Sequence, residues 1–140
     1  QRQFNQSGQL DTTLIATSLL DFGNRANAEI MNPALWLERP PATWHIKGDH
    51  GELTVDRNRL YLTTNVIANR FEEGRDPWRL SGETLQWDQT TDLVTAKTTT
   101  SLVQGRSQSV GDKLVMNLNT NEYTLGDKVR TQWRNATSSQ

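Results

Sequence analysis

The stretch that decides the fold runs Trp44-His45-Ile46-Lys47-Gly48-Asp49-His50-Gly51-Glu52-Leu53-Thr54-Val55-Asp56 and resumes after a short polar gap with Leu60-Tyr61-Leu62. Its apolar residues stand two apart, with polar residues between them. A period of two with one apolar face is the pattern of a half-buried strand in an antiparallel sheet. The arrangement returns in Leu85-Gln86-Trp87-Asp88 and Leu93-Val94-Thr95, and again in Leu114-Val115-Met116-Asn117 and Tyr123-Thr124-Leu125. Aligned, these stretches form an internal repeat: a Gly, a short gap, Leu-x-apolar-Asp/Asn, a second gap, then an apolar pair two apart. The copies begin at Gly48, Gly82 and Gly111, a period of roughly 30 residues. Trp44 to Gly48 introduces one copy, and Trp78-Arg79-Leu80-Ser81-Gly82 introduces the next. Asp56, Asp88 and Asn117 open the hairpin turns, where a short polar side chain bonds the local backbone. Positions equivalent in a repeat are translated along the array and need not converge, so turn chemistry outweighs a catalytic set.

Outward from the repeat the signals weaken. Leu14, Ala16 and Leu19 continue the alternation, while Ile15, Leu19 and Phe22 also fit one helical face. Thr12, Thr13, Thr17 and Ser18 are poor helix formers, which tips that segment to strand. Pro33 opens a strand through Ala34-Leu35-Trp36-Leu37, and Pro40-Pro41 ends it, because neither proline donates to a ladder. Thr98 to Ser109 is rich in Thr, Ser and Gln with few apolar anchors, and reads as a weak strand or loose loop. Residues 1–134 read as one β domain and 135–140 as a disordered tail.

Composition narrows the function classes. The 140 residues carry 15 Lys+Arg against 16 Asp+Glu, a net charge of -1, which argues against a nucleic-acid binder. Hydrophobic residues make up 34% and the mean hydropathy is -0.73, so the core must be thin. The 5 Trp compensate with large areas. No apolar run approaches the ~18 residues that cross a bilayer. Beginning at Gln1 without Met, the chain reads as a processed or trimmed form from which any anchor has been removed. With Cys at 0 there is no disulfide framework and no thiolate metal site.

Reactive constellations are missing, and no catalytic, metal or cofactor site is expected. Gly105 to Lys113 is the nearest approach to a phosphate loop, but the spacing is one residue too long. Asp112 precedes Lys113, and Leu114 stands where a magnesium-binding hydroxyl belongs. His45 and His50 lie across a strand end without the Glu of a zinc-protease helix. No Ser sits in a nucleophile elbow. Glu72, Glu73 and Asp76 around Gly74 read as a solvated hairpin loop. The Asn5 and Asn135 sequons carry no weight unless the protein is eukaryotic and secreted. Trp36, Trp44, Trp78, Trp87 and Trp133 would suit a sugar-stacking platform. Trp44, Trp78 and Trp87, however, occupy repeat positions expected to point inward, leaving Trp36 and Trp133 free.

Together the repeat, the Trp-led strands and the closing Leu125 to Trp133 resemble the LptC family of lipopolysaccharide export proteins. The resemblance covers Phe4 to Trp133. It is most specific in Asn32-Pro33-Ala34-Leu35-Trp36-Leu37, Trp44-His45-Ile46-Lys47, Leu60-Tyr61-Leu62-Thr63-Thr64-Asn65-Val66 and Asp127-Lys128-Val129-Arg130-Thr131. It implies an all-β fold: a twisted, open β-jelly-roll of two facing antiparallel sheets built from short repeated hairpins. It also implies the periplasmic domain of a single-pass inner-membrane protein of a Gram-negative bacterium, with the N-terminal transmembrane helix absent from this chain. The implied function is lipopolysaccharide transport from the ATP-driven LptB/LptF/LptG extractor to the bridge protein LptA, with no nucleic acid involved. A soluble LptA-like bridge protein, a carbohydrate-binding β-module and an uncharacterised all-β hydrolase are the alternatives.

By the alternation, Leu14, Ala16, Ile30, Leu35, Leu37, Ile46, Leu53, Val55, Leu62, Val66, Leu80, Leu85, Val103, Leu114, Met116 and Leu125 should face inward. Such a lining suits acyl chains, which need no directed hydrogen bonds, so these are the expected lipid-binding residues. Composition alone does not separate a packed core from an unfilled slot; a slot kept vacant for hydrocarbon tails is the expectation. Several fully enclosed chains at about 0.8 kcal/mol per CH₂ would bind almost irreversibly, so a carrier's groove must stay partly open. An open jelly-roll also leaves edge strands that accept a partner by strand addition. Lys128, Val129, Arg130, Thr131 and Trp133 form the expected C-terminal edge for the bridge protein, and Phe4 to Leu14 the N-terminal edge for the extractor.

Overall fold

The computed structural model describes residues 2–6, 10–16, 18–20, 27–126 and 130–133. Phe22, the 135–140 tail, Lys128 and Val129 lie outside the described residues. Among the described residues the regular structure is entirely β. The first strands are β1 (Arg2–Gln6), β2 (Leu10–Ile15), β3 (Ser18–Leu20), β4 (Ala28–Met31) and β5 (Ala34–Arg39). They continue with β6 (Ala42–Lys47), β7 (His50–Leu53), β8 (Arg59–Glu72), β9 (Trp78–Asp88) and β10 (Leu93–Ala96). The last are β11 (Thr100–Gln104), β12 (Ser107–Gly111), β13 (Lys113–Asn117), β14 (Tyr123–Gly126) and β15 (Arg130–Trp133). Every described pairing is antiparallel.

The long β8–β9 hairpin is the spine. The C-terminal half of β8 pairs with β6, and its N-terminal half with β7. The N-terminal half of β9 pairs with β11, and its C-terminal half with β10. The ladder therefore divides at the spine into two layers. One runs β1-β2-β5-β6-β8-β9-β11-β12-β15, the other β3-β4-β7-β8-β9-β10-β13-β14. The chain crosses between them where β8 breaks register between Thr63 and Val66. Thr64 and Asn65 take the left-handed conformation there, at φ 69° and 53°. A β-branched Thr in that region is unusual and marks a bulge that redirects the strand. The crossing is pinned: Asp49 N–H donates to the Thr64 carbonyl at 2.9 Å, and Asn65 Nδ2 to the Asp49 carboxylate at 2.8 Å.

Side-chain alternation stacks the apolar residues into rows. In the first layer Leu14, Leu35, Ile46, Ala68, Leu80 and Leu102 are successive cross-strand partners, and all are buried. In the second, Ala28, Leu53, Leu60, Trp87, Val94 and Met116 do the same. The repeat's turn residues act as expected. Asp56 Oδ1 accepts from Asn58 N–H, Asp88 Oδ1 from Thr90 N–H, and Asn117 Oδ1 from Asn119 N–H, at 3.0, 2.9 and 2.9 Å. Glu73 to Asp76 fall in the loop between β8 and β9, with Gly74 at φ 80°, whereas Glu72 is corrected to the last residue of β8, half-buried and paired with Arg70 and Arg75. Of the two readings of Thr98 to Ser109, weak strand or loose loop, the strand holds. The segment contributes β11 and part of β12, a hairpin that pairs along β9. Backbone pairing on an existing strand supplies the order that its sparse apolar content does not.

Candidate functional interior and its bridged side

Of the residues expected inward, Leu14, Ile30, Leu35, Leu37, Ile46, Leu53, Leu62, Val66, Leu80, Leu85, Leu114 and Met116 are buried in one cluster. Ala16 and Leu125, at opposite ends of the layers, are half-buried and pack against it. Two expectations are corrected. Val55 is 42% exposed because β7 ends at Leu53 and the chain turns, with Arg57 N–H on the Thr54 carbonyl at 2.8 Å. Val103 faces outward because its register partner is the exposed Arg79, whereas neighbouring Leu102, opposite Leu80, takes the inward place at 5% exposure.

Among the described residues the interior is packed where the apolar rows meet, against the expectation of a standing slot. Leu37, Ile46, Leu60, Leu114 and Met116 have no exposed surface. The narrow gap among Val66, Leu80, Leu85, Ala96 and Thr100 has no room for a water molecule. Leu60, Val94, Leu102 and Leu118 belong to the same buried set and were not singled out from the sequence.

Opposite the crossing line, turns of the two layers meet. Arg39, the last residue of β5, is 3% exposed and bonds Asp92 in the β9–β10 turn, itself 4% exposed. A second guanidinium nitrogen reaches Asp92 Oδ1 at 3.2 Å and Thr12 Oγ1 at 3.3 Å. Trp87 Nε1 donates to the same Asp92 oxygen at 2.9 Å. Farther along, Arg70 Nε donates to Asn121 Oδ1 at 3.0 Å, and its Nη2 to Glu72 at 2.6 Å. Trp78 meets Tyr123 edge-on at 5.4 Å between ring centroids, with the Arg70 guanidinium 5.2 Å over the Trp78 ring. A 420 Å³ cleft among Pro41, Arg70, Arg75, Trp78 and Gln104 opens along this side. Sequence reading missed these arginines, although their signal was present. Leu35-x-Leu37-x-Arg39 and Val66-x-Ala68-x-Arg70 carry the inward parity straight into a charge.

The four tryptophans whose side chains are described, Trp36, Trp44, Trp78 and Trp87, do not assemble an outer platform. Trp44 and Trp87 are buried, and Trp78 packs on the core. Trp36 is 41% exposed on the outer face, but one of its faces is covered by His45, stacked at 3.8 Å and 15°. Partial burial, with a contribution from the Lys47 charge, pushes the His45 imidazole below its ordinary pKa. Among the described residues no cluster of His, Asp or Glu is arranged to hold a metal, and no helix is long and apolar enough to cross a membrane.

At the ends of the strand order, β1 and β3 on one side and β14 and β15 on the other pair with one neighbour each among the described residues. Of the expected C-terminal edge, Arg130, Thr131 and Trp133 lie in β15, paired to β12 with Trp133 opposite Ser107 and Arg130 opposite Val110.

The family described as "Lipopolysaccharide-assembly, LptC-related" has a profile that matches residues 1–134. The lipopolysaccharide export system protein LptC of Escherichia coli K12 is 29% identical over 133 residues, 93% of this chain and 69% of that protein. LptC of Shigella flexneri is similar to the same degree. Among solved structures, LptH is described as the LptA-homologous periplasmic component of the lipopolysaccharide transport device of Pseudomonas aeruginosa. Its crystal structure matches with a TM-score of 0.70 at 12% identity, covering 89% of this chain and 95% of that one. At that identity the likeness is one of fold.

Proposed function

The chain belongs to the lipopolysaccharide-assembly, LptC-related family and serves lipopolysaccharide transport, and from that premise we propose that its two layers receive the lipid's acyl chains between them and pass them onward. The observation that carries the reading is the pair of apolar rows, unbroken from Leu14 to Leu102 in one layer and from Ala28 to Met116 in the other. Hydrocarbon entering between such rows meets aliphatic surface along its whole path and needs no directed bond. The role asks for no reacting group. In this reading direction comes from a partner that spends nucleotide.

In this reading the domain stands in the periplasm, joined to the inner membrane by a single helix. The β1 and β3 end meets the LptB/LptF/LptG extractor, and the β14 and β15 end adds to the bridge protein LptA by backbone pairing, the recognition mode of an open sheet edge. The single-neighbour edges at both ends support that arrangement.

Photocrosslinking tests the reading. A photoreactive residue at Ala16 or Leu125, half-buried at the two ends of the interior, should capture added lipopolysaccharide. The same residue at the exposed Val55 or Trp36 should not. Equal capture at all four positions, or at none, would reject an interior route.

A further inference from the structure

Among the described residues the apolar rows are packed, and the gap among Val66, Leu80, Leu85, Ala96 and Thr100 has no room for a water molecule, so a carrier built this way must open to take a guest there. Resting on the transport reading, we propose that the Arg39–Asp92 pair is a latch that holds the two layers closed and parts when acyl chains enter. The pair joins the β5–β6 turn of one layer to the β9–β10 turn of the other, on the side opposite the crossing line. Among the described strands β8 and β9 run through both layers as one hairpin, and β8 is pinned at that line by Asp49, so the turns on the far side are the parts placed to separate.

The chemistry of the contact suits a latch better than a rivet. Within a layer the rows are apolar, and prying them apart exposes hydrocarbon to water at a cost proportional to area. A buried ion pair behaves differently. Its closure carries a desolvation penalty close to its Coulombic gain, and on opening both ions recover their hydration. Arg39 and Asp92 therefore seal the mouth with small bias, which a modest gain from lipid burial can tip. The closed arrangement is also not fully satisfied along this side. Trp44 and Trp78, edge-on at 6.4 Å on the inner face, each bury an indole Nε1 with no hydrogen-bond partner. An arriving lipid carries ester and amide carbonyls that accept such bonds, which adds to the differential affinity for the open form that any ligand-driven change requires.

The chain contains no Cys, so two can be placed without background. Glu38→Cys and Thr91→Cys, both at exposed positions flanking the latch, carry nitroxides for a distance measurement by pulsed electron resonance. Purified lipopolysaccharide should lengthen that distance by about 5 Å, half of the ~10 Å at which two packed sheets normally stand. Adding Asp92→Asn should place a fraction of molecules at the longer distance before any lipid is present. In a second arm that needs no change at the latch, a reducible bis-thiosulfonate joins the two Cys while a photoreactive residue at Leu125 reports lipid capture. Stapling should lower capture about tenfold, as expected when the competent state is held to a small population, and reduction should restore it. Capture by the unstapled chain with an unchanged distance, or undiminished capture by the stapled one, overturns the latch alone. Absence of capture by the unstapled chain overturns the transport reading and the latch with it.

Discussion

Asp92→Asn is the most informative single change, because it removes a charge while keeping shape and local backbone. Asp92 sits at φ 58°, a left-handed conformation that Asn tolerates as well as Asp. The amide oxygen can still accept from Trp87 Nε1. What is lost is the carboxylate facing the Arg39 guanidinium at two nitrogens, in a site where both residues are nearly inaccessible. Removing one partner of a buried pair costs about 3–5 kcal/mol. Arg39 keeps its bonds to Thr12 and to the Glu38 carbonyl, so the lower end, about 3 kcal/mol, applies. For a chain of this length each kcal/mol moves Tm by roughly 2–4 °C, giving a fall of about 6–12 °C. Urea unfolding followed by circular dichroism measures the loss directly. The companion Arg39→Gln/Asp92→Asn leaves no charge at the contact and should recover at least about 1 kcal/mol of it, a coupling that a double-mutant cycle reads out. A loss under about 1 kcal/mol for Asp92→Asn, or an additive double variant, would show that the pair is solvated and that the two layers are not sealed there.

The remaining predictions test parity, the edge and one titration. Leu102→Ala and Leu53→Ala should each cost about 2–4 kcal/mol. Val103→Thr and Val55→Asp should stay within about 0.5 kcal/mol; a reversed ranking in thermal melts would overturn the assigned faces. Truncation after Gly126 removes β15 and should abolish binding to the bridge protein in a pull-down while β-content and lipid capture persist, and retained binding would move the docking edge elsewhere. The His45 imidazole should titrate by NMR below its ordinary value of 6.5. Its folded pKa is depressed, so the unfolded chain binds more protons between the two values. The contribution to stability is present above 6.5 and lost as pH falls through the folded pKa. A midpoint above 6.5 would mean that the Trp36 ring stabilises the cation more than burial disfavours it.

How much of this was legible in the sequence depends on whether a feature is local. Alternation fixed the faces of Leu35, Ile46, Leu62, Leu80 and Leu114, because strand geometry allows only two directions for a side chain. The turn roles of Asp56, Asp88 and Asn117 were legible for the same reason, since each bonds a backbone N–H two residues on. Val55 failed where a turn ended the alternation. Val103 failed because Ser101-Leu102-Val103 offers two adjacent apolar residues, and only pairing with Leu80 decides between them. Between strand and loop, Thr98 to Ser109 stays open in the sequence, because its order comes from pairing with β9, outside the segment. The latch was half-visible. Parity puts Arg39 and Arg70 inward, but nothing local tells that Asp92 waits in the opposite layer.

A packed interior and a carrier's role are compatible once both sides of the exchange are counted. A free acyl chain leaving water gains about 0.8 kcal/mol per CH₂. If the protein held an empty slot, that gain would be realised in full, and release to the next domain would be slow. Here the side chains on the Leu14-to-Leu102 and Ala28-to-Met116 rows already touch one another, so entry replaces protein–protein contacts by protein–lipid contacts. It must also part Arg39 from Asp92. The close packing that the guest displaces re-forms when it leaves, which favours departure as well as opposing entry. The grip is thereby lowered without making the lining less apolar. On this argument, cavity-creating changes such as Leu37→Ala should tighten lipid binding even as they destabilise the fold. A variant with lower Tm and unchanged or weaker lipid affinity would contradict it.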